Sequence, residues 1–501
     1  MYPKDLFPHK EIQELLDLYR PIWALGYAQQ LMGWDLETYM PEEGSLARSI
    51  ASQEISLLIQ KLMTDEKFIK ALERAEKLED LNEYERGVVR VLKRDLKFYI
   101  RVPPEIVGEL SRITSEATII WRSAKKNNDF NVFKPYLEKI VDLNIKVADY
   151  LGYDKNPYDA LLDLYEEGLT TDDFQRIVDV LVPGLKKVLD KILSEGYYSK
   201  PHPLEEYKYD VEKMKHVNSE ILRILGQDPR RLRLDISAHP FTSGLDMRDV
   251  RITTRYEGYD FKRTIFSVIH EFGHALYDLQ IEERFRATPL SGGASLGVHE
   301  SQSRFWENII GRSKEFTEAI YDLLADNLSL RGKYDASEIY RYFNIVRPGL
   351  IRVDADEATY NFHIALRFEL EKLLINKEIK VDDLPELWNN YMDKYLGVRP
   401  KTYSEGVLQD IHWSMGSIGY FPTYTIGTLL AAQISKRMMR EIDLFTAIRE
   451  KKFEPVREWL REKIHRHGSV YPPKELIRRV LGEDLRPEIF VEYLQWKFLK
   501  T

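Results

Sequence analysis

Apolar residues recur at three- and four-residue intervals along most of this chain, the period of helices that bury one face. The pattern predicts helices over 10–39, 47–62, 81–99, 103–126, 131–151, 171–194 and 211–225. It resumes at 265–277 and runs on through 300–311, 313–328, 336–345 and 355–375 toward the C-terminus. Thr171-Asp172-Asp173 supplies a helix start before Phe174, and Pro103-Pro104 suits the first turn of the helix it opens. One segment breaks the period. Met247 to Arg255 alternates in twos and carries β-branched residues, which predicts a strand just upstream of the 265–277 helix. Glycines between Ser291 and Gly297 predict a tight loop that returns the chain. With no internal repeat and no low-complexity linker, the expected fold is mainly α: one large helical body over 1–501, bilobed around a deep groove and not separable, with a small β-sheet.

Composition narrows the class. The 501 residues are 44% apolar and 31% charged, which describes a soluble globular protein with a large core. The net charge of −8 is spread among interspersed Lys, Arg, Asp and Glu, with no basic stripe to suit nucleic acid. No apolar stretch approaches a membrane span and the opening residues lack the apolar run of a signal peptide, so the expected location is cytoplasmic. There is no cysteine, which excludes disulfides, thiolate ligands and cysteine nucleophiles. Any metal must be held by His, Asp or Glu. Abundant Glu, Lys and Arg in a cysteine-free chain further suggest a source that lives at high temperature.

The chemistry concentrates in His270-Glu271-Phe272-Gly273-His274. On a helix, residues four apart share a face, so His270 and His274 can reach one ion while Glu271 holds a water beside it. By chance alone H-E-x-x-H arises roughly once in fifty chains of this length and composition, so the surroundings must decide. A catalytic zinc needs a third protein ligand. The metzincin position, six after His274, is Gln280, and that pattern fails. Glu282 and Glu283 lie roughly 12 Å along by helical rise, out of reach. The next candidates are His299 and Glu300, across the glycine loop; Glu300, 26 positions after His274, would complete a His2Glu set, with His299 as the competitor. The expected roles are hydrolytic: zinc acidifies a water and polarises a carbonyl, and Glu271 takes and returns the proton. The predicted strand would be an edge strand, either adding an extended substrate to the sheet or covering the core.

Six ordered motifs then resemble one family. They are His239-Pro240-Phe241, Asp249 to Thr253, the H-E-F-G-H run, His299 to Gln302, Ile351 to Asp356 and Gly406 to Trp413. Together with Trp34 to Pro41 and Gly419 to Tyr424, they are similar to the carboxypeptidase Taq family of thermostable metallocarboxypeptidases, most of all its archaeal hyperthermophile members. The resemblance implies a helical, homodimeric zincin-type enzyme with a deep groove that removes single residues from peptide C-termini with broad tolerance. It implies zinc as the metal, replaceable by cobalt, on His270, His274 and Glu300. Arg352 is implied to bind the terminal carboxylate, because a planar guanidinium matches it bidentately. His412 and Tyr424 are implied to hydrogen-bond the carboxylate or the oxyanion; of two further substrate-site residues, His239 is expected to line the groove near the metal and Arg251 to shape or orient the strand beside it. Two other readings stand beside this one: an oligopeptidase or dipeptidyl carboxypeptidase on a similar fold, and a helical scaffold with a coincidental motif. His9, His202, His216, His363, His465 and His467 read as surface or satisfied core residues.

Overall fold

Helices form where the apolar period places them. Lys10–Thr38, Ser45–Met63, Glu83–Arg101, Pro104–Asn127, Phe130–Leu151, Thr171–Glu195 and Val211–Leu225 each end within two residues of expectation. Two further helices, Glu66–Glu76 and Pro157–Tyr165, lie outside the predicted set, although Phe68, Ala71, Leu72 and Ala75, and Tyr158, Leu161 and Leu162, are buried at helical spacing. The computed structural model describes residues 2–499, and 68% of the protein is helical. No helix among these residues is long and apolar enough to cross a membrane.

Two predicted helices differ in instructive ways. The helix expected over 355–375 begins only at Tyr360. The Asp356 carboxylate accepts the backbone N–H groups of Arg347, Ala358 and Thr359 at 2.9–3.1 Å and holds the preceding residues in a turn. The helix expected over 300–311 begins earlier, at Leu296, where Ser295 caps it, and changes at Phe305 to a π-helical turn through Gly311.

The sheet has three strands: β1 (Leu232–Ile236), β2 (Thr242–Asp246) and β3 (Asp249–Thr254), in the order β1-β3-β2. β3 pairs in parallel with β1 and antiparallel with β2. The predicted strand over 247–255 is therefore central and not an edge. Alternation marks a half-buried strand but cannot reveal its neighbours, and β1 and β2 are five residues each with weak patterns of their own. β2 and β3 lie against the helix Lys262–Gln280, called here the HExxH helix.

By internal packing the chain forms two compact units, each assembled from three separate stretches. The first comprises Met1–Ile100, His202–Phe343 and Ile434–Asp484; the second comprises Arg101–Pro201, Asn344–Gln433 and Leu485–Thr501. The sheet, the HExxH helix and the helix Leu296–Arg304, called here the Glu300 helix, belong to the first. Arg352, His412 and Tyr424 belong to the second.

Candidate active site

In the first unit the HExxH helix and the Glu300 helix bring three side chains together. One ligand atom each from His270, His274 and Glu300 lies within 4.8 Å of the others. Glu300 Oε2 is 3.6 Å from His270 Nε2 and 3.3 Å from His274 Nε2. Successive residues on a helix diverge by about 100°, so only one of His299 and Glu300 can face this point. Glu300 does. His299 instead lies with its Nδ1 2.7 Å from His274 Nδ1 and its Nε2 3.0 Å from Asp278 Oδ1.

With the rings neutral, these contacts fix the tautomers. The Asp278 carboxylate accepts from His299 Nε2–H, so His299 Nδ1 is an acceptor and His274 donates to it from Nδ1. Likewise His270 Nδ1 donates to Glu307 Oε2 at 2.9 Å. Both imidazoles therefore turn a bare Nε2 toward Glu300. Such an outer shell is what orients metal-binding histidines. Arg304 Nε donates to Glu300 Oε1 at 2.7 Å, leaving Oε2 toward the imidazoles. Burial alone would raise the Glu300 carboxyl, but the positive charge of the Arg304 guanidinium foremost outweighs it and holds it well below the usual carboxylate range. An ionised carboxylate and two imidazole Nε2 atoms with engaged Nδ1 atoms fit a divalent cation.

Glu307, Arg304, Asp278 and Thr242 carry no signal in the sequence that points to this site. Glu307 lies in the π-helical turn, so its aim at His270 cannot be read from a 3.6-residue period. Glu271 is buried, and Thr242 at the start of β2 donates from Oγ1 to its Oε2 at 2.6 Å. That bond fixes one carboxylate oxygen, Oε2. Gly273 permits the close approach of the two ligand helices: a Cβ there would sit 2.5 Å from Gln302 O and 2.6 Å from Ser303 Cα. Gly273→Ala is expected to cost about 1–3 kcal/mol of stability through overpacking. It should also weaken binding of a divalent metal there by displacing Glu300. Thermal melting and zinc titration check this; unchanged values would mean that the helices can separate freely.

His239 and Arg251 are in the same unit. His239 is exposed in the connection between β1 and β2. The Arg251 fork meets the Asp249 carboxylate at 2.9 Å through Nε and Nη2, and its guanidinium lies 4.5 Å from the centre of the Trp34 ring. Trp34 is buried there, with Arg233 also over its ring, so the N-terminal motif packs on the sheet.

In the second unit the structure gathers Arg352, His412 and Tyr424. His412 Nε2 is 3.3 Å from Tyr424 Oη, and the Arg352 guanidinium is 5.2 Å from the Tyr424 ring centre. Arg352, only 6% exposed, donates from Nε to Asp410 Oδ1 at 2.9 Å and from Nη1 to Tyr360 Oη at 3.1 Å. Arg367, fully buried, donates from Nε to the other oxygen of Asp410 at 2.7 Å and from Nη2 to Gln409 Oε1 at 2.8 Å. Two guanidinium groups thus share the Asp410 carboxylate. Burial, reinforced by the Arg352 charge, lowers the His412 ring to about 4, so it is neutral near pH 7. His363 departs from its expectation as a satisfied residue. It is fully buried, neither ring nitrogen has a hydrogen-bond partner among the described residues, and burial with the Arg367 charge lowers it to about 3.

Comparison with known proteins agrees with this architecture. Residues 14–498 match the family described as carboxypeptidase Taq (M32) metallopeptidase. The chain is 55% identical over 498 residues to thermostable carboxypeptidase 1 of Pyrococcus furiosus, covering 99% of this chain and 100% of that one. It is 37% identical to carboxypeptidase 1 of Bacillus subtilis, covering 98% of each. A solved Pyrococcus furiosus carboxypeptidase structure superposes with a TM-score of 0.97 at 55% identity, covering 98% of this chain and 99% of that one. An M32 carboxypeptidase from Deinococcus radiodurans R1 gives a TM-score of 0.94 at 34% identity, with 98% and 99% covered.

Proposed function

The chain belongs to the carboxypeptidase Taq (M32) metallopeptidase family, and from that premise we propose that it releases single amino acids from peptide C-termini with broad specificity. The observation that carries the exopeptidase reading is the pair of buried guanidinium groups of Arg352 and Arg367, which share the single ion-pair partner Asp410. A buried cation calls for an anionic partner, and a terminal carboxylate is one. Arg352 takes that role, with His412 and Tyr424 donating to the carboxylate or to the developing oxyanion. His239 is retained as a substrate contact. Arg251 is retained as the residue that shapes the sheet beside it.

His270, His274 and Glu300 are the proposed metal ligands, with zinc native and cobalt able to substitute. When bound, the ion polarises the scissile carbonyl and acidifies the attacking water. Glu271 accepts the proton from that water and delivers one to the leaving amine. Thr242 keeps the Glu271 carboxylate in the orientation this transfer needs. β2 is the edge strand beside Glu271, so strand addition by an extended peptide is assigned to it and not to β3.

The enzyme is read as thermostable, as its Pyrococcus relative is named, and as cytoplasmic and homodimeric. Exposed Leu46, Ile50, Leu57 and Leu58 on the helix Ser45–Met63 support pairing with a second copy. Peptides with free and amidated C-termini test the exopeptidase reading. Amidation is expected to abolish cleavage. Efficient cleavage of amides would favour an oligopeptidase.

A further inference from the structure

Behind the two ligand helices of the first unit runs a segment from far along the chain. Residues 464–472 connect the helices Glu454–Lys463 and Pro473–Leu481. His465 within it is completely buried, and its Nδ1 and Nε2 lie 2.6 and 2.8 Å from the side-chain amides of Gln280 and Gln302. Gln280 ends the HExxH helix, and Gln302 lies two residues beyond Glu300. One imidazole therefore ties together the two helices that carry the ligands.

The same ring faces Tyr277 at 4.8 Å between centres, inclined by 31°. Tyr277 in turn lies 5.0 Å from the His299 ring, which orients His274. The segment also holds the glycine loop that joins the two helices. Ser469 Oγ donates to the carbonyls of Gly292 and Gly293 at 2.8 and 3.1 Å, and Ser469 N–H donates to Leu290 O at 3.3 Å. Gly468 has φ +49° and would place a Cβ 2.2 Å from Leu290 O, so no other residue fits this approach.

We propose that this segment is a strap that sets the separation of the HExxH and Glu300 helices, with His465 as a positioning residue for the metal site. The inference rests on His270, His274 and Glu300 being the ligands. It adds that a side chain with no contact to them governs how tightly the ion is held. The arrangement gives His465 a role beyond packing: it bridges two amides on different helices, where an apolar ring would only fill the space. Outer-shell substitutions at metal sites commonly cost about 10–100-fold in affinity.

The test is zinc affinity, measured by competition with a chelator of known affinity, alongside melting of the metal-free protein. The variants are His465→Phe, which keeps a ring against Tyr277, and His465→Gln, which keeps a hydrogen-bonding group. His202→Phe is the control, since His202 is also buried in the same unit but caps a different turn. His465→Phe is expected to weaken zinc binding about tenfold or more relative to His202→Phe, with His465→Gln intermediate. If His465→Phe does not fold, weakened zinc binding in His465→Gln supports the strap in its place. Zinc affinity in both His465 variants equal to the control overturns the strap. Undiminished zinc binding in His270→Ala overturns the ligand assignment itself, a separate failure.

Discussion

Glu271→Gln is expected to fold, to bind zinc with unchanged stoichiometry, and to lose about 10²–10⁴-fold in kcat. The substitution conserves shape. The glutamine carbonyl can still accept from Thr242 Oγ1, which lies 2.6 Å from the native carboxylate oxygen. Metal binding is untouched because Glu271 is not among the three converging side chains. What disappears is the ability to accept a proton from the attacking water. Elemental analysis together with turnover of a free-acid peptide checks both halves. A variant that keeps both its metal and its activity removes Glu271 as the base.

Arg352→Met is expected to lower kcat/KM on free-acid peptides by roughly two to three and a half orders of magnitude. That corresponds to about 3–5 kcal/mol for removing one partner of a buried ionic contact. Two features make the effect specific to substrate. Asp410 keeps Arg367, which reaches it through both Nε and Nη2, so no carboxylate is left unpaired by the change. Met retains most of the apolar length of the side chain and removes the guanidinium that lies over the Tyr424 and Phe421 rings. The loss should therefore fall on recognition of the terminal carboxylate, and the preference for free acids over amides should collapse. Kinetics on a matched acid and amide pair read this directly. A variant with the preference intact moves carboxylate binding away from Arg352.

The helices are legible in the sequence because burying one face of a long helix writes its period into the chain. The proposed ligand pair His270 and His274 is legible for the same reason, since four residues make about one turn. The choice between His299 and Glu300 is not, because adjacent helical residues differ only in the direction they face. In the folded chain Glu300 points inward and His299 orients His274. The support residues are hidden by distance in the chain or by local geometry. Thr242 reaches Glu271 across 29 positions, and Glu307 reaches His270 through a π-helical turn that no regular period predicts. β1 and β2 are invisible because their stability comes from pairing with β3 and from the sheet's contact with the HExxH helix. His465 reads from sequence as a satisfied core residue, and it is one. Only the identity of its partners, one on each ligand helix, makes it more than that.

Metal-dependent removal of one residue at a time from the C-terminus is the activity on which the proposed roles converge. It is tested by mass spectrometry of a defined peptide during digestion, with the protein as purified, after chelator, and after zinc is restored. The expected result is a ladder of products shortened stepwise from the C-terminus, absent under chelator and regained with zinc. Fragments arising from internal cleavage, steps of two residues, or digestion indifferent to chelator would overturn the reading.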